Sequence, residues 1–358
     1  MTPQTLRPHP IRVLVVDDSA VTRSLLRMVL DPHPEIEVAG VAADGVEAIA
    51  VFESLHPDLV LLDVAMPGMN GLDALSAIRQ RDRRVPVIMC STLTWRGAQV
   101  TLDALSRGAT DYVAKPSGES IRSCIEALGR ELIPKILALV PAEPAAAPSE
   151  APAVAVPPPC GAPRVVVIGV STGGPAALEA LLPKLPARFP LPILIVQHMP
   201  SLFTGLFAER LDDLCALHVR EAVEGARAEP GVVELARGDW HLELTRDLRL
   251  RLRQSAPENF CRPSVDVLFR SAALACSGRV LGVILTGMGT DGLAGCRAIR
   301  NAGGTVFAQD SLTSVIWGMP GAVAAAGLAN QVLALDAIPG EILRCIAAHQ
   351  RRAEALAV

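Results

Sequence analysis

The stretch Arg164–Pro175, RVVVIGVSTGGP, is a run of β-branched residues that stops at glycines. A strand that ends this way and hands over to a helix can cradle a phosphate on backbone N–H groups, or it can hold a serine out as a nucleophile. The phosphate reading requires a Walker lysine, or a G-x-G-x-x-G followed by an acidic residue about 20 positions on. Gly173-Gly174-Pro175 leads instead into AALEALL, with no lysine at the required place. Residues 169–173 fit G-x-S-x-G, a pattern too short to decide alone. What shares the sheet edge with Ser171 has to decide.

Beyond this stretch the runs LPILIVQ, RVLGVILTG and GGTVFAQ continue a pattern of strands separated by helical segments. Between the first two of them, GVVELARGDWHLELTRDLRLRLRQ alternates with period two, which predicts antiparallel strands beside a parallel sheet. Towards the N-terminus lie IRVLVV, IEVAGVA, DLVLL, VPVIMC and DYVA, interleaved with helical patterns such as SAVTRSLLRMVL and GLDALSAIRQ. Strands alternating with helices predict a parallel sheet with right-handed crossovers, so both halves read as α/β. Between them, residues 141–163 hold eight Pro and eight Ala in 23 positions, too little packing surface and too few donors for a folded element. This is a linker that, polyproline-like at about 3.1 Å per residue, spans roughly 70 Å.

The 358 residues, half of them hydrophobic, suffice for two domains with cores. A net charge of −4 with scattered Lys and Arg argues against a nucleic-acid-binding output. The 3% aromatic content argues against base stacking. No signal-peptide core and no apolar run near the roughly 18 residues of a span are present, so the expectation is a cytoplasmic protein that is not membrane-inserted. Eight dispersed cysteines without a C-x-x-C pair read as reduced, mostly buried thiols with no assigned chemistry.

In the first half, Asp17 and Asp18 end the first strand, Asp63 the third, Ser91 the fourth and Lys115 the fifth. Each alone reads as a cap or a surface charge. Together they converge where open parallel sheets place function, beyond the carboxyl ends of the strands. Clustered carboxylates repel unless a cation sits among them, and an oxygen-only set next to a phosphate suits Mg²⁺. Asp63 is then an in-line nucleophile towards a phosphoryl donor, with Lys115 neutralising equatorial charge and Ser91 hydrogen-bonding the product. The motifs VVDDSAVTR, LLDVAMPGMNG, CSTLT and DYVAKPS resemble the receiver domain of two-component response regulators over roughly residues 11–128. That resemblance implies a five-stranded, doubly wound, flavodoxin-like fold. It also implies Asp63 as phosphoacceptor, Asp17 and Asp18 in the metal site, and Lys115 as the phosphoryl-sensing lysine. Ser91 and Tyr112 would reposition on phosphorylation, although a bland, partly buried aromatic remains an equal reading of Tyr112. A cis Lys115-Pro116 bond is a further expectation.

In the second half, a serine hydroxyl needs a base and an orienting carboxylate. Of seven histidines, His9, His33 and His56 belong to the first half, and His218 and His349 lie in helical or loop stretches. His198 ends the strand LPILIVQ as Ser171 ends VVVIGV, which makes it the leading base. His241, in the alternating WHLELT, is the runner-up and reads as a surface strand residue. Asp291, in the glycine-rich turn of GVILTGMGTDG, is the preferred carboxylate, with Asp310 and Asp266 as alternatives. Its glycines let the backbone enter a crowded site and leave N–H groups for an oxyanion. The order Ser, His, Asp is not that of the α/β-hydrolase fold.

The motifs GVSTGGPAAL, VQHMP, CRPSVDVLFRSAA, LTGMGTDG and AQDSLTSVIWGMPGAV resemble the catalytic domain of the bacterial chemotaxis protein-glutamate methylesterases, over about residues 164–350. The resemblance implies a Rossmann-like domain with an antiparallel hairpin, joined to the receiver by a Pro/Ala-rich linker assigned to 129–163. It carries over Ser171 as nucleophile, His198 as base and Asp291 as orienter. Thr172 and Met288 would border the site, Met288 through its backbone N–H. It implies demethylation of glutamate methyl esters and deamidation of glutamines on methyl-accepting chemoreceptors. A histidine kinase would be the phosphodonor, and no cofactor would be needed in the catalytic domain. The chain departs from the family at Arg237-Gly238, where Pro-Gly is usual, which bears on a nearby loop and not on the triad. Receiver docking over the Ser171 edge is the expected mode of control. A receiver with a non-catalytic or nucleotide-binding output is the alternative.

Overall fold

A computed structural model of the protein describes residues 9–92, 94–115, 120–141 and 161–356, with side chains described up to residue 348. The chain divides into two compact units, Met1–Ala146 and Ala147–Val358.

The first unit alternates β1 (Ile11–Val16), α1 (Ala20–Leu30), β2 (Ile36–Ala42), α2 (Gly45–Leu55), β3 (Leu59–Asp63) and α3 (Gly71–Arg81). It continues with β4 (Val87–Ser91), α4 (Trp95–Ser106), β5 (Asp111–Ala114) and α5 (Ile121–Leu139). The strands form one parallel sheet in the order β2-β1-β3-β4-β5, as expected of a doubly wound fold. Every residue of β3 and β4 is buried, which is why these strands read as unbroken apolar runs. Residues 129–139, assigned from the sequence to the linker, are instead the second half of α5. Leu132, Ile133 and Ile136 enter the core with Val13, Val15 and Leu26, which offsets the donor lost at Pro134. The expected cis bond at Pro116 and most of the 141–163 linker lie outside the described residues.

The second unit opens with β6 (Val165–Val170), α6 (Gly174–Leu181), β7 (Ile193–Gln197), α7 (Ser201–Leu214), β8 (His218–Glu221) and β9 (Val232–Leu235). The hairpin strands β10 (His241–Leu244) and β11 (Leu250–Arg253) follow, then α8 (Val265–Ala275), β12 (Val280–Ile284) and α9 (Leu293–Asn301). The unit closes with β13 (Thr305–Gln309), α10 (Met319–Ala325), β14 (Gln331–Leu333) and α11 (Ile338–Leu356). Seven strands form a wholly parallel sheet, β14-β13-β12-β6-β7-β9-β8. From β6 the chain first builds outwards through β7 and later returns to build the other side from β12. The β6/β12 boundary is therefore a topological switch point.

The alternating segment 231–254 is not antiparallel throughout. Its strands β10 and β11 pair antiparallel with each other, while β9 joins the parallel sheet beside β7. Its alternation arises from Glu234, fully buried in β9 and held by Arg220 Nε at 3.0 Å and Nη2 at 2.7 Å. The hairpin turns Leu242, Leu244 and Leu250 into the same core as Leu268 and Phe269 of α8. Helix α8 thereby lies between hairpin and sheet, its N-terminus directed at the switch point.

Candidate active site and phosphoacceptor site

In the first unit Asp17, Asp63 and Ser91 are buried at the carboxyl edge of the sheet and Asp18 is exposed. Lys115 Nζ bridges Asp17 Oδ2 at 2.7 Å and Asp63 Oδ1 at 2.8 Å. Burial raises the Asp63 carboxyl above its ordinary range, and the Lys115 ammonium opposes that only in part. The carboxylate oxygens of Asp17, Asp18 and Asp63 lie within 4.8 Å of one another. Three carboxylates against one ammonium leave two negative charges uncompensated, so this all-oxygen set fits one divalent cation of the Mg²⁺ type. Asp18, Asp63, Ser91 and Lys115 line a cleft of about 720 Å³, space for a phosphoryl group. Ser91 Oγ meets the backbone carbonyls of Thr92 and Gly97, each at 3.3 Å. Tyr112 is buried, with Lys135 Nζ 5.4 Å from its ring centre, and burial pushes the phenol well above its ordinary value.

In the second unit the register Val170↔Gln197 of β6 and β7 puts Ser171 and His198 one step beyond the sheet, side by side. The His198 N–H donates to Val170 O at 3.2 Å and closes the last rung. Buried Gln197 fastens the two loops together, its Nε2 donating to Ser171 O at 3.0 Å and to His198 O at 3.2 Å. The turn after Ser171 requires glycine. Gly173 has φ +76° and caps α6 with Pro175 in its first turn, and a Cβ there would lie 2.6 Å from Val315 Cβ. We expect Gly173→Ala to lower stability by about 1–3 kcal/mol and to lower turnover as the Ser171 turn shifts; an unchanged thermal melt would contradict the strain reading.

Asp291 follows β12 across the switch point and is buried. Its Oδ2 accepts from His198 Nε2 at 2.8 Å and from Val265 N at 2.7 Å. Its Oδ1 accepts from Ser264 Oγ (2.8 Å), Asn259 Nδ2 (2.9 Å), Asp266 N (3.1 Å) and Gly292 N (3.1 Å). Although burial opposes charge, this ring of donors and the imidazole hold the carboxyl at about 2. Burial also disfavours the imidazolium, but Asp291 and the neighbouring Cys261 outweigh it and raise His198 to about 9. With Nε2–H committed to Asp291, the basic nitrogen of neutral His198 is Nδ1. Ser171 Oγ has no hydrogen-bond partner among the described residues, so backbone register rather than a side-chain bond sets it beside His198. Thr172 is buried, its carbonyl accepting from Thr286 Oγ1 at 2.9 Å. Among the described residues the Met288 N–H is unbonded, which leaves it for an oxyanion.

The alternatives are placed elsewhere. His241 is buried, not a surface residue. Its Nε2 meets Ala256 O at 3.1 Å and its Nδ1 accepts from Ser264 N at 3.2 Å, so it braces the loop that carries Ser264. Asp266 sits behind Asp291 and shares Asn259 with it at 2.9 Å. Asp310 closes its own turn on Thr313. At the variant loop, Gly238 N donates to Thr204 Oγ1 at 3.1 Å and Arg262 grips Asp239. Sequence reasoning missed Asn259, Ser264 and Cys261 as neighbours of the His–Asp pair, although CRPSVD was among the motifs singled out. None of the described cysteines is in a disulfide; Cys90, Cys276 and Cys296 are buried and Cys124, Cys215, Cys261 and Cys345 only half-buried, so fewer are buried than expected.

A family model described as CheB methylesterase matches residues 166–342, and one described as response regulator receiver domain matches residues 13–126. A protein-glutamate methylesterase/protein-glutamine glutaminase of a Nocardioides species is 51% identical over 354 residues, covering 94% of this chain and 96% of that protein. One so named from Trichodesmium erythraeum is 46% identical over 357 residues, covering 94% and 99%. The crystal structure of the Thermotoga maritima CheB methylesterase catalytic domain superposes with a TM-score of 0.50 at 42% identity, covering 51% of this chain and 98% of that one.

Proposed function

The chain belongs to the CheB methylesterase family, an esterase with a response regulator receiver domain ahead of its catalytic domain, and we propose that it hydrolyses glutamate γ-methyl esters on chemoreceptors through Ser171, His198 and Asp291. The observation that carries this is the Asp291–His198 pair standing in register beside a serine on a glycine turn. Rotation of Ser171 brings Oγ to His198 Nδ1, which takes its proton as Oγ attacks the ester carbonyl. The tetrahedral oxyanion is held by backbone N–H groups, that of Met288 among them. Methanol leaves with the proton from His198, water then attacks the acyl-Ser171 ester with His198 again as base, and glutamate is released. A glutamine side chain follows the same course with ammonia leaving.

In the receiver, Asp63 accepts a phosphoryl group from a histidine kinase. Asp17, Asp18 and Asp63 would hold Mg²⁺, which when bound supplies charge neutralisation at the phosphoryl oxygens. Phosphorylation raises esterase turnover, and the work is cytoplasmic. Among the described residues no helix is long and apolar enough to cross a membrane. Methanol release from methyl-labelled receptor, with and without a small phosphodonor, tests both halves. Release stimulated by the donor is expected, with the stimulation lost in Asp63→Asn; no release in either condition would end the esterase reading.

The raised pKa of His198 fixes the pH dependence. The base must be neutral, and with the imidazolium held up to about 9 its neutral fraction grows as pH rises through that value. The ascending limb of kcat/KM should therefore lie well above the ordinary imidazole range. A limb centred near 6.5 would show that Asp291 and Cys261 do not hold the proton on His198.

A further inference from the structure

Cys261 lies in the loop between β11 and α8, after Asn259 and Phe260, whose φ angles of +52° and +63° are left-handed, a conformation that asparagine tolerates and that is unusual for a bulky residue such as Phe260. The loop delivers Cys261 Sγ to 3.6 Å from His198 Nδ1. Asp291 Oδ2 holds Nε2 at 2.8 Å from the other side, so the lone pair on neutral Nδ1 faces the sulfur. Ligand atoms of His198, Cys261 and Asp291 all lie within 4.8 Å of one another. A tetrahedral Zn²⁺ with a Zn–S bond of about 2.3 Å and a Zn–N bond of about 2.05 Å separates its sulfur and nitrogen ligands by about 3.6 Å. The two donors thus already stand at the spacing of two corners of a zinc tetrahedron. Metal-bound histidines also characteristically donate their second ring N–H to a carboxylate, the position Asp291 occupies. Both ligand side chains keep partial access to solvent, which leaves the remaining two corners for water.

We propose that Cys261 Sγ and His198 Nδ1 form a binding site for a thiophilic divalent cation of the Zn²⁺ class, with Asp291 as its orienting carboxylate. On binding, the Cys261 thiol and, below its pKa of about 9, the His198 imidazolium at Nδ1 each lose a proton to solvent, Zn–S and Zn–N bonds form, and four of the six waters of the hydrated ion leave the metal. The receiver's all-oxygen cluster does not compete for the same chemistry, since a thiolate ligand selects the softer ion. The consequence rests on the proposed function: the cation takes the lone pair that would accept the Ser171 proton, so the loaded enzyme is inhibited.

The test uses the full-length chain and two readouts. Titration with Co²⁺ should produce a thiolate-to-metal charge-transfer band that Zn²⁺ displaces and that disappears in Cys261→Ser, Cys261→Ala and His198→Gln. No band in the parent, or a band that survives in the Cys261 variants, overturns the site. In methanol-release assays Zn²⁺ should inhibit the parent, and each Cys261 variant, measured against its own metal-free rate, should need about tenfold more Zn²⁺ or higher. A band that depends on Cys261 without inhibition by Zn²⁺ would leave the metal site standing and overturn His198 Nδ1 as the base.

Discussion

Ser171→Ala should reduce methanol release by a factor on the order of 10⁵ to 10⁶ while leaving receptor binding and thermal stability close to those of the parent. The size follows from what is removed. Without Oγ no acyl-enzyme forms, and what remains is hydrolysis by bound water aided by oxyanion donors. The selectivity follows from the surroundings of the side chain. Ser171 is tied into the fold by its backbone, N–H to Thr286 O at 3.0 Å and carbonyl to Gln197 Nε2 at 3.0 Å. Alanine keeps the Cβ, and among the described residues no hydrogen bond is lost with the hydroxyl. Circular dichroism melts together with release of labelled methanol check both parts. A variant with near-parental turnover would remove Ser171 from the chemistry, and one that is merely unstable would relocate its role to folding.

Asp291→Asn should cost about 10⁴ in kcat and should also destabilise the domain. The buried carboxylate accepts from six donors, and an amide in its place would confront at least one of them with a second donor. A buried donor left without an acceptor costs about 1–3 kcal/mol. The catalytic loss has a separate cause, because an amide carbonyl no longer favours the charged imidazole. With Asp291 gone the pKa of His198 falls and the proton on Nε2 is no longer enforced. The ascending limb of kcat/KM should therefore move to lower pH in the variant even as its height collapses. Rates measured well below the melting temperature separate the two effects. A variant whose activity loss only tracks its unfolded fraction would make Asp291 a structural residue.

Much of the candidate site's placement was legible because parallel sheets put polar groups at strand ends. Ser171 and His198 each terminate an apolar run, and the pairing of β6 with β7 follows from their being consecutive strands. The glycines around Asp291 mark it in the sequence, and Gly292, at φ +95°, caps α9 beside it. What could not be read depended on burial of polar groups by partners distant in sequence. Glu234 made β9 look half-solvated because Arg220, which neutralises it, lies in another strand. His241 looked like a surface position because its partners, Ala256 O and Ser264 N, come from the loop ahead of α8. Cys261 reaches His198 at the end of a turn in which Asn259 and Phe260 are both left-handed, and Phe260 carries no local signal for that conformation. The tail of α5 was lost to the linker because proline and alanine crowd the sequence just beyond it, while the apolar face that anchors it needs β1 to be recognised.

One measurement bears most directly on the assignment: peptide mapping by mass spectrometry of the enzyme quenched after exposure to a fluorophosphonate, a reagent that traps serines activated as acyl acceptors. The adduct should fall on the peptide containing residue 171 and should fail to form in His198→Gln. An unmodified 171 peptide while the same preparation is releasing methanol, or labelling that ignores the loss of His198, would contradict it.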